Sequence, residues 1–425
     1  MKVLLVSANT ESINLPTFPL GLACVAQATL KAGHEVECLD LIGVKQPDAL
    51  LKKTMGAFKP GVIGISVRNI DDQNIAGPRF LLQQAKQVVA ACKEFSGAPV
   101  VVGGAGYSLF PQKALDYLEA DIGIQGEGEE AFPLLLDHMK KGLLFSHLPG
   151  LYLYGSGSCE GNRRFTRDLD RFPLPNPKIL STAAYEGEDF YIPVQTRRGC
   201  PMKCSYCSTE IIEGRFIRKR SPEVVVRSLA RWVDAGFRRF QFVDNTFNLP
   251  PSYAEALCDL LAESSCPIAW RCILYPGNLK ESLVAAMAKA GCREVSLGFE
   301  SGCDEMLKEM NKHFRAQDVR DASRMLSDHN ISPMGFLMLG GPGETQRSVE
   351  ESLAFVHDLN LDALKITIGV RIYPYTALAK IAVEEGLIAP DDDLLFPRFY
   401  LERGLEDWLR KTVEERIKEN RAWMM

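Results

Sequence analysis

Short apolar runs alternate with helical patterns along most of this 425-residue chain, and that alternation leaves few folds open. In the first 145 residues the runs are KVLLVSA, HEVECLDL, GVIGISV, APVVVGG and ADIGIQGEG, each closing on or beside Gly, Ser or Asp. Helical patterns such as PLGLACVAQATLKAG, PDALLKKTMGAF, PRFLLQQAKQVVAACKEF and PQKALDYLEA separate them. Strands alternating with helices predict a parallel, doubly wound, Rossmann-like sheet. Such sheets bind ligands at the carboxyl ends of their strands. The candidate ligand loops are therefore Ser7–Pro19, Ser66–Asn74, Gly103–Phe110 and Gly126–Glu129. They offer Ser66, Arg68, Gly103, Gly104, Ser108, Gly126 and Glu127 to a ligand.

None of these loops carries the G-x-G-x-x-G fingerprint with its following acidic residue, so a nicotinamide cofactor is not favoured. The stretch VVVGGAGYS brings three glycines to a strand end. Small residues there let a large flat ligand approach the backbone, although a tight turn would need the same glycines.

Residues 146–189 carry turn signals (GSGSCEGN, PLPNP) and read as a linker with one hairpin around GLYLYGSGSCEGNRRF. Alternation resumes at residue 190. YIPVQT, RRFQFVD, PIAWRCI, REVSLGFE, SPMGFLML and ALKITIG are candidate strands, giving six βα units over residues 190–380 and a partial or full TIM-like parallel barrel. Residues 381–425 form a tail ending in GLEDWLRKTVEERIKENRAWMM, an amphipathic helix with Trp408, Leu409, Val413 and Ile417 on one stripe. It either packs on the barrel or covers a substrate mouth.

The loop after the first barrel strand reads TRRGCPMKCSYCSTE, with Cys200, Cys204 and Cys207 in a C-x3-C-x2-C spacing. Structural zinc usually takes four ligands in two close pairs. Here there are three, and all six histidines are remote in sequence. A disulfide suits an odd number of thiols poorly. Three thiolates can bind a [4Fe-4S] cluster and leave one iron open to a substrate or cofactor. Gly199 and Pro201 suit a tight loop after a strand.

RRGCPMKCSYC resembles the signature of the radical S-adenosylmethionine (SAM) enzymes, in which the open iron chelates the methionine moiety of SAM. The four later strand ends fit the resemblance. They supply Asp244 and Asn245, then Glu300 and Ser301, then Gly340, Gly341 and Gly343, then Arg371 and Tyr373. In the family, similar positions hold the methionine amine, the ribose and carboxylate, and the adenine. A surface carboxylate capping a helix is the other reading of Glu300.

The arrangement LPTFPLGLACVAQATLKAGHEV…GISVRN…VVVGGAGYS…DIGIQGEGEEAF resembles the cobalamin-binding domain that precedes the radical SAM domain in one large subfamily. The D-x-H-x-x-G motif is absent, as it usually is there. The resemblance implies cobalamin with its base detached and no histidine ligand; His34, at the start of a strand, is badly placed for cobalt. Arg68 lies where the corrin face is expected. In a member of the subfamily an Arg at a similar strand end occupies the lower face of the cobalt, whereas pairing with Asp71, Asp72 or a corrin amide is the alternative. Arg68 and Tyr373 are the candidate catalytic residues.

The resemblance implies a methyltransferase. SAM methylates Co(I), a second SAM yields a 5′-deoxyadenosyl radical, and a substrate carbon receives the methyl group. Polar transfer without the radical is a variant. A ring-forming or oxidising enzyme would use the same cofactors. A methylthiotransferase would normally add a second cluster and an RNA-binding appendage, and a cobalamin sensor would need no SAM pocket. The implied partners are a small-molecule substrate and a one-electron reductant of the flavodoxin or ferredoxin type.

The net charge of −5 gives no general attraction to nucleic acid. No apolar run reaches the ~18 residues that span a bilayer. MKVLLVSANTES reads as a first strand, not a signal peptide. Twelve cysteines without such a signal point to a reducing cytoplasm.

Overall fold

The computed structural model describes residues 1–10, 17–156, 163–181, 185, 190–264, 266–359 and 361–425. The chain divides into two compact units. One comprises Met1–Asp72, Arg79–Phe190 and Ile211–Gly214; the other comprises Gln73–Pro78, Tyr191–Glu210 and Arg215–Met425.

In the first unit the order is β1 (Lys2–Ser7), α1 (Leu20–Lys31), β2 (Glu35–Asp40), α2 (Pro47–Phe58), β3 (Val62–Ser66), α3 (Leu82–Phe95), β4 (Val100–Gly103), α4 (Ala105–Leu109), α5 (Pro111–Leu118), β5 (Ile122–Ile124), α6 (Gly128–Lys141) and β6 (Leu151–Leu153). The sheet runs β2-β1-β3-β4-β5-β6. Its first five strands are parallel, and β6 returns antiparallel to β5. Val3, Leu4, Val62, Ile63, Val100 and Val102 have no exposed surface, as strands covered on both faces require. The order reverses between β1 and β3, which is where such sheets open a ligand crevice. The register sets Asp40, Ser7, Ser66 and Gly103 in one row at that edge.

Two glycines let the β4–α4 turn lie on the backbone after β3. Gly104 has φ +107°, and a Cβ there would stand 2.5 Å from the Val67 carbonyl oxygen. A Cβ on Gly106 would stand 2.9 Å from the Arg68 oxygen. The expected linker hairpin is instead represented by β6, which joins the sheet; residues 157–162 of that stretch lie outside the described residues.

In the second unit the elements are β7 (Ile192–Val194), β8 (Arg197–Arg198), α7 (Thr209–Glu213), which runs into the first unit's segment, β9 (Arg218–Lys219), α8 (Pro222–Asp234), β10 (Arg239–Phe242), α9 (Pro251–Glu263), β11 (Ala269–Leu274), α10 (Glu281–Lys289), β12 (Cys292–Glu300), α11 (Asp304–Glu309), α12 (Ala316–Asp328), β13 (Ser332–Leu339), α13 (Gln346–Asp358), β14 (Ala363–Ile368), β15 (Val370–Arg371), α14 (Ala377–Glu384), β16 (Phe399–Tyr400), α15 (Glu406–Glu419) and β17 (Trp423–Met424). Seven strands form one parallel sheet in the order β17-β14-β13-β12-β11-β10-β7, a partial barrel. Residues alternate along β10 to β14. Trp270, Cys272, Val295, Leu297, Leu337 and Leu364 are buried, while Arg271, Glu294, Ser296, Phe336 and Lys365 between them keep part of their surface.

The tail is more than a packed helix. Leu409 and Val413 of α15 are fully buried, and β17 then adds a seventh strand beside β14. β16 pairs with β15, and the Glu402 amide donates to the Gly340 oxygen at 3.0 Å. No helix among the described residues is long and apolar enough to cross a membrane.

Candidate active site

The cysteine loop leaves β7 and is anchored at its base by Asp244, just beyond β10. Asp244 accepts from the Thr196 amide at 2.7 Å, the Thr196 hydroxyl at 2.6 Å and the Arg197 amide at 3.0 Å. The Arg197 guanidinium stands 3.2 Å from it and donates to the Phe247 and Leu249 carbonyls. It is also sandwiched by the rings of Phe247 and Tyr253, at 5.1 and 4.5 Å. Asp244 has no exposed surface. Its carboxylate, expected to meet a cofactor, here faces inward and shapes the loop. Asn245, its neighbour, reaches Thr209 on the far side of the cysteines.

A second set of contacts holds the tip. The Ser205 amide donates to the Met310 oxygen at 3.0 Å, and the Ser205 oxygen accepts from the Leu378 amide at 2.9 Å. Asn311 Nδ2 donates to the Lys203 oxygen at 2.6 Å, and the Cys207 amide to the Cys204 oxygen at 3.2 Å. Cys200 is buried, while Cys204 and Cys207 are half-buried. Burial pushes the Cys204 thiol up, and the Lys312 ammonium partly offsets this. Among the described residues no three His, Cys, Asp or Glu side chains gather closely enough for one metal ion.

Glu300, with φ +68°, ends β12 facing this loop. Burial pushes the Tyr206 phenol well up, and the Glu300 carboxylate adds to this. Ser301 turns away. Its hydroxyl lies 3.0 Å from that of Ser352 and accepts from the Cys303 amide, with no exposed surface, so it braces the turn. In the loop after β13, Glu344 accepts from the Gly340 amide at 2.7 Å and the Ser348 hydroxyl at 3.1 Å. Burial raises its pKa. The Gly341 oxygen in turn accepts from the Glu344 amide at 3.1 Å. Arg371 is buried, donates to the Ile372 and Leu394 carbonyls and lies 5.0 Å from the Tyr373 ring. Tyr373 accepts from Gln73 at 3.0 Å.

At the crevice edge of the first unit, Asp72 pairs with Arg79 at 3.0 Å, not with Arg68. Burial lowers the pKa of Arg68, and Tyr185 partly offsets this. The side chain nonetheless keeps solvent access. The Tyr185 hydroxyl donates to Asp40, whose pKa is raised by burial. Ser108 donates to the Gly104 oxygen at 2.8 Å and accepts from the Gly126 amide at 2.9 Å, tying two strand-end loops together. Glu127 accepts from the Thr166 amide at 2.9 Å. His34 lies at the opposite, amino edge, 3.4 Å from the amino group of Met1. His138 is in the last turn of α6, which runs back towards that edge, and His147 packs against it at 5.8 Å.

Sequence reasoning did not find Lys312, Glu344, Asp40 or Tyr185. Glu344 was readable, since it follows the glycines of GGPGET, and so was Asp40, which closes the run HEVECLDL; Lys312 and Tyr185 come from segments with no strand-end signal.

Known proteins match this architecture. The Radical SAM superfamily matches residues 194–356 and the B12 binding domain residues 6–136. An uncharacterized methyltransferase of Pyrococcus horikoshii is 27% identical over 91% of this chain and 84% of its own. The tryptophan 2-C-methyltransferase of Streptomyces laurentii is 24% identical over 89% of this chain and 74% of its own. The radical SAM methyltransferase TsrM of Kitasatospora setae, solved with cobalamin and a [4Fe-4S] cluster, has the same fold. Its TM-score is 0.88 at 20% identity, over 100% of this chain and 92% of that one. A B12-binding unit followed by a radical SAM unit, with methyltransferases as relatives along nearly the whole length, makes this chain a member of the cobalamin-dependent radical SAM methyltransferase family.

Proposed function

We propose that this chain moves the methyl group of SAM, by way of cobalamin, to a carbon of a small molecule. The observation that carries the reading is the placement of Arg68, two residues beyond β3 at the crevice edge, with its guanidinium partly desolvated and still open to solvent. A guanidinium keeps its proton and has no lone pair for a metal. Placed under a corrin it would exclude water from the lower face without becoming a ligand. Base-off, histidine-free cobalamin follows, because the unit's histidines cluster away from this edge.

The residues present fit three groups. Cys200, Cys204 and Cys207 would hold the cluster. Glu300, Asn245, the Gly341 backbone and the Arg371–Tyr373 segment would surround SAM. Ser66, Arg68 and Gly103 would face the corrin, with Gly104, Ser108, Gly126 and Glu127 shaping the loops beneath it. When bound, the cluster delivers single electrons to SAM and cobalamin carries the methyl group from donor to acceptor. The chain's own contribution is positional. Asp244 and Met310 hold the two sides of the cysteine loop, and the buried sheet faces exclude water from reactive species. The electron would come from a flavodoxin- or ferredoxin-type donor.

The test is incubation of reconstituted protein with CD3-labelled SAM and a small-molecule extract. A metabolite that gains an intact CD3 group supports the reading. S-adenosylhomocysteine should accompany it. 5′-Deoxyadenosine in step with product marks radical transfer, and its absence marks the polar variant. Turnover of SAM to 5′-deoxyadenosine with no labelled product would overturn methylation.

A further inference from the structure

We propose that Lys312 is the positioning residue that sets the reduction potential of the cluster, with Glu300 as its counter-charge. This rests on the assignment of Cys200, Cys204 and Cys207 as cluster ligands. Lys312 follows α11, outside the motif. Its side chain is only 7% exposed, and its ammonium is held in place: it donates to the Gly298 oxygen at 3.1 Å and lies 3.5 Å from Glu300 Oε1. The same nitrogen lies 5.5 Å from the centre of the Tyr206 ring. Tyr206 sits between two of the ligands in sequence, so Lys312 links Glu300 to the ring of a cysteine-loop residue.

The residues before Lys312 hold the same loop. Met310 accepts from Ser205, and Asn311, at φ +56°, donates to Lys203. Three consecutive residues thereby cradle the tip, and the third brings the charge.

Structural bracing alone would not need an ammonium, because Asn311 and the Met310 carbonyl supply the bonds. A fixed positive charge in a partly desolvated site acts on whatever charge changes beside it. A cluster that takes one electron from a one-electron donor gains one unit of negative charge, with no bond made or broken at Lys312. The ammonium favours that reduced state, and the Glu300 carboxylate opposes it. Neighbouring charge and hydrogen bonding set cluster potentials.

The test is an anaerobic redox titration, followed by electron paramagnetic resonance, of reconstituted wild type, Lys312→Met, Lys312→Arg and Glu300→Gln, with iron counted in each. The midpoint should fall in Lys312→Met, return towards wild type in Lys312→Arg and rise in Glu300→Gln. An unchanged midpoint in Lys312→Met at full iron content would overturn the proposal, as would shifts of the same sign in Lys312→Met and Glu300→Gln. If one of these two variants holds no iron, the sign of the other decides. A wild-type protein that takes up no cluster would overturn the cysteine assignment, and this proposal with it.

Discussion

Asp244 and Thr196 are joined twice, through the Thr196 amide at 2.7 Å and its hydroxyl at 2.6 Å, so the strand that follows the cysteine loop dictates how that loop begins. The pair is fully buried, and Arg197 completes it. Removing one member of a buried ion pair leaves the other charge uncompensated, at about 3–5 kcal/mol. Asp244→Ala should therefore lower stability by that order in urea unfolding and also lose iron on reconstitution. A variant of normal stability would show that Asp244 does not hold the loop.

The three loop cysteines are expected to act as a set. Anaerobically reconstituted protein should hold about four irons and four sulfides. Cys200→Ala, Cys204→Ala and Cys207→Ala should each lose the cluster. Cys258→Ala and Cys292→Ala should keep it, since those thiols lie fully buried in the barrel core. Iron and sulfide analysis reads this directly, and a normal cluster in Cys204→Ala contradicts it.

Asp40 should leave a mark on the pH dependence of stability. Burial raises its folded-state pKa, while the bonds from Tyr185 and Ser7 partly restrain the rise. Between the ordinary carboxylate value and the raised one, the native state holds more protons than the unfolded state. Stability conferred by this group is thus present at low pH and is lost as pH rises through that window. Thermal melting from acid to neutral pH should show a flatter profile for Asp40→Asn. Tyr185→Phe, which removes a restraint, should steepen the loss. An unaltered profile in both variants would contradict the assignment.

Arg68→Ala should still bind cobalamin, its Co(II) form should gain an axial water, and methylation of cobalamin by SAM should slow. Arg68→Lys keeps the charge but loses the flat, forked shape. Electron paramagnetic resonance reports the axial ligand. Loss of cobalamin from Arg68→Ala would instead make Arg68 a grip on the corrin edge, and unchanged methylation would remove it from the mechanism.

The repeated strands and helices were legible because each packs an apolar face: β1 to β5, β7 and β10 to β14 lie where the alternation puts them. β17 was not, because a two-residue strand carries no periodicity and gains its place only by pairing with β14. Site residues were legible as types at strand ends, but not in their orientation. Asp244 and Glu300 look alike in sequence; one is consumed by backbone amides and the other faces the cysteine loop. Lys312 and Tyr185 reach the site from segments whose course depends on tertiary packing, which local sequence does not encode.

The most direct test of the central claim needs no substrate. Protein reconstituted with cluster and cobalamin, reduced, and given CD3-labelled SAM should yield cobalamin bearing one CD3 group together with S-adenosylhomocysteine, as read by mass spectrometry. Cobalamin that remains unlabelled under reducing conditions, with SAM intact or cleaved only to 5′-deoxyadenosine, would contradict it.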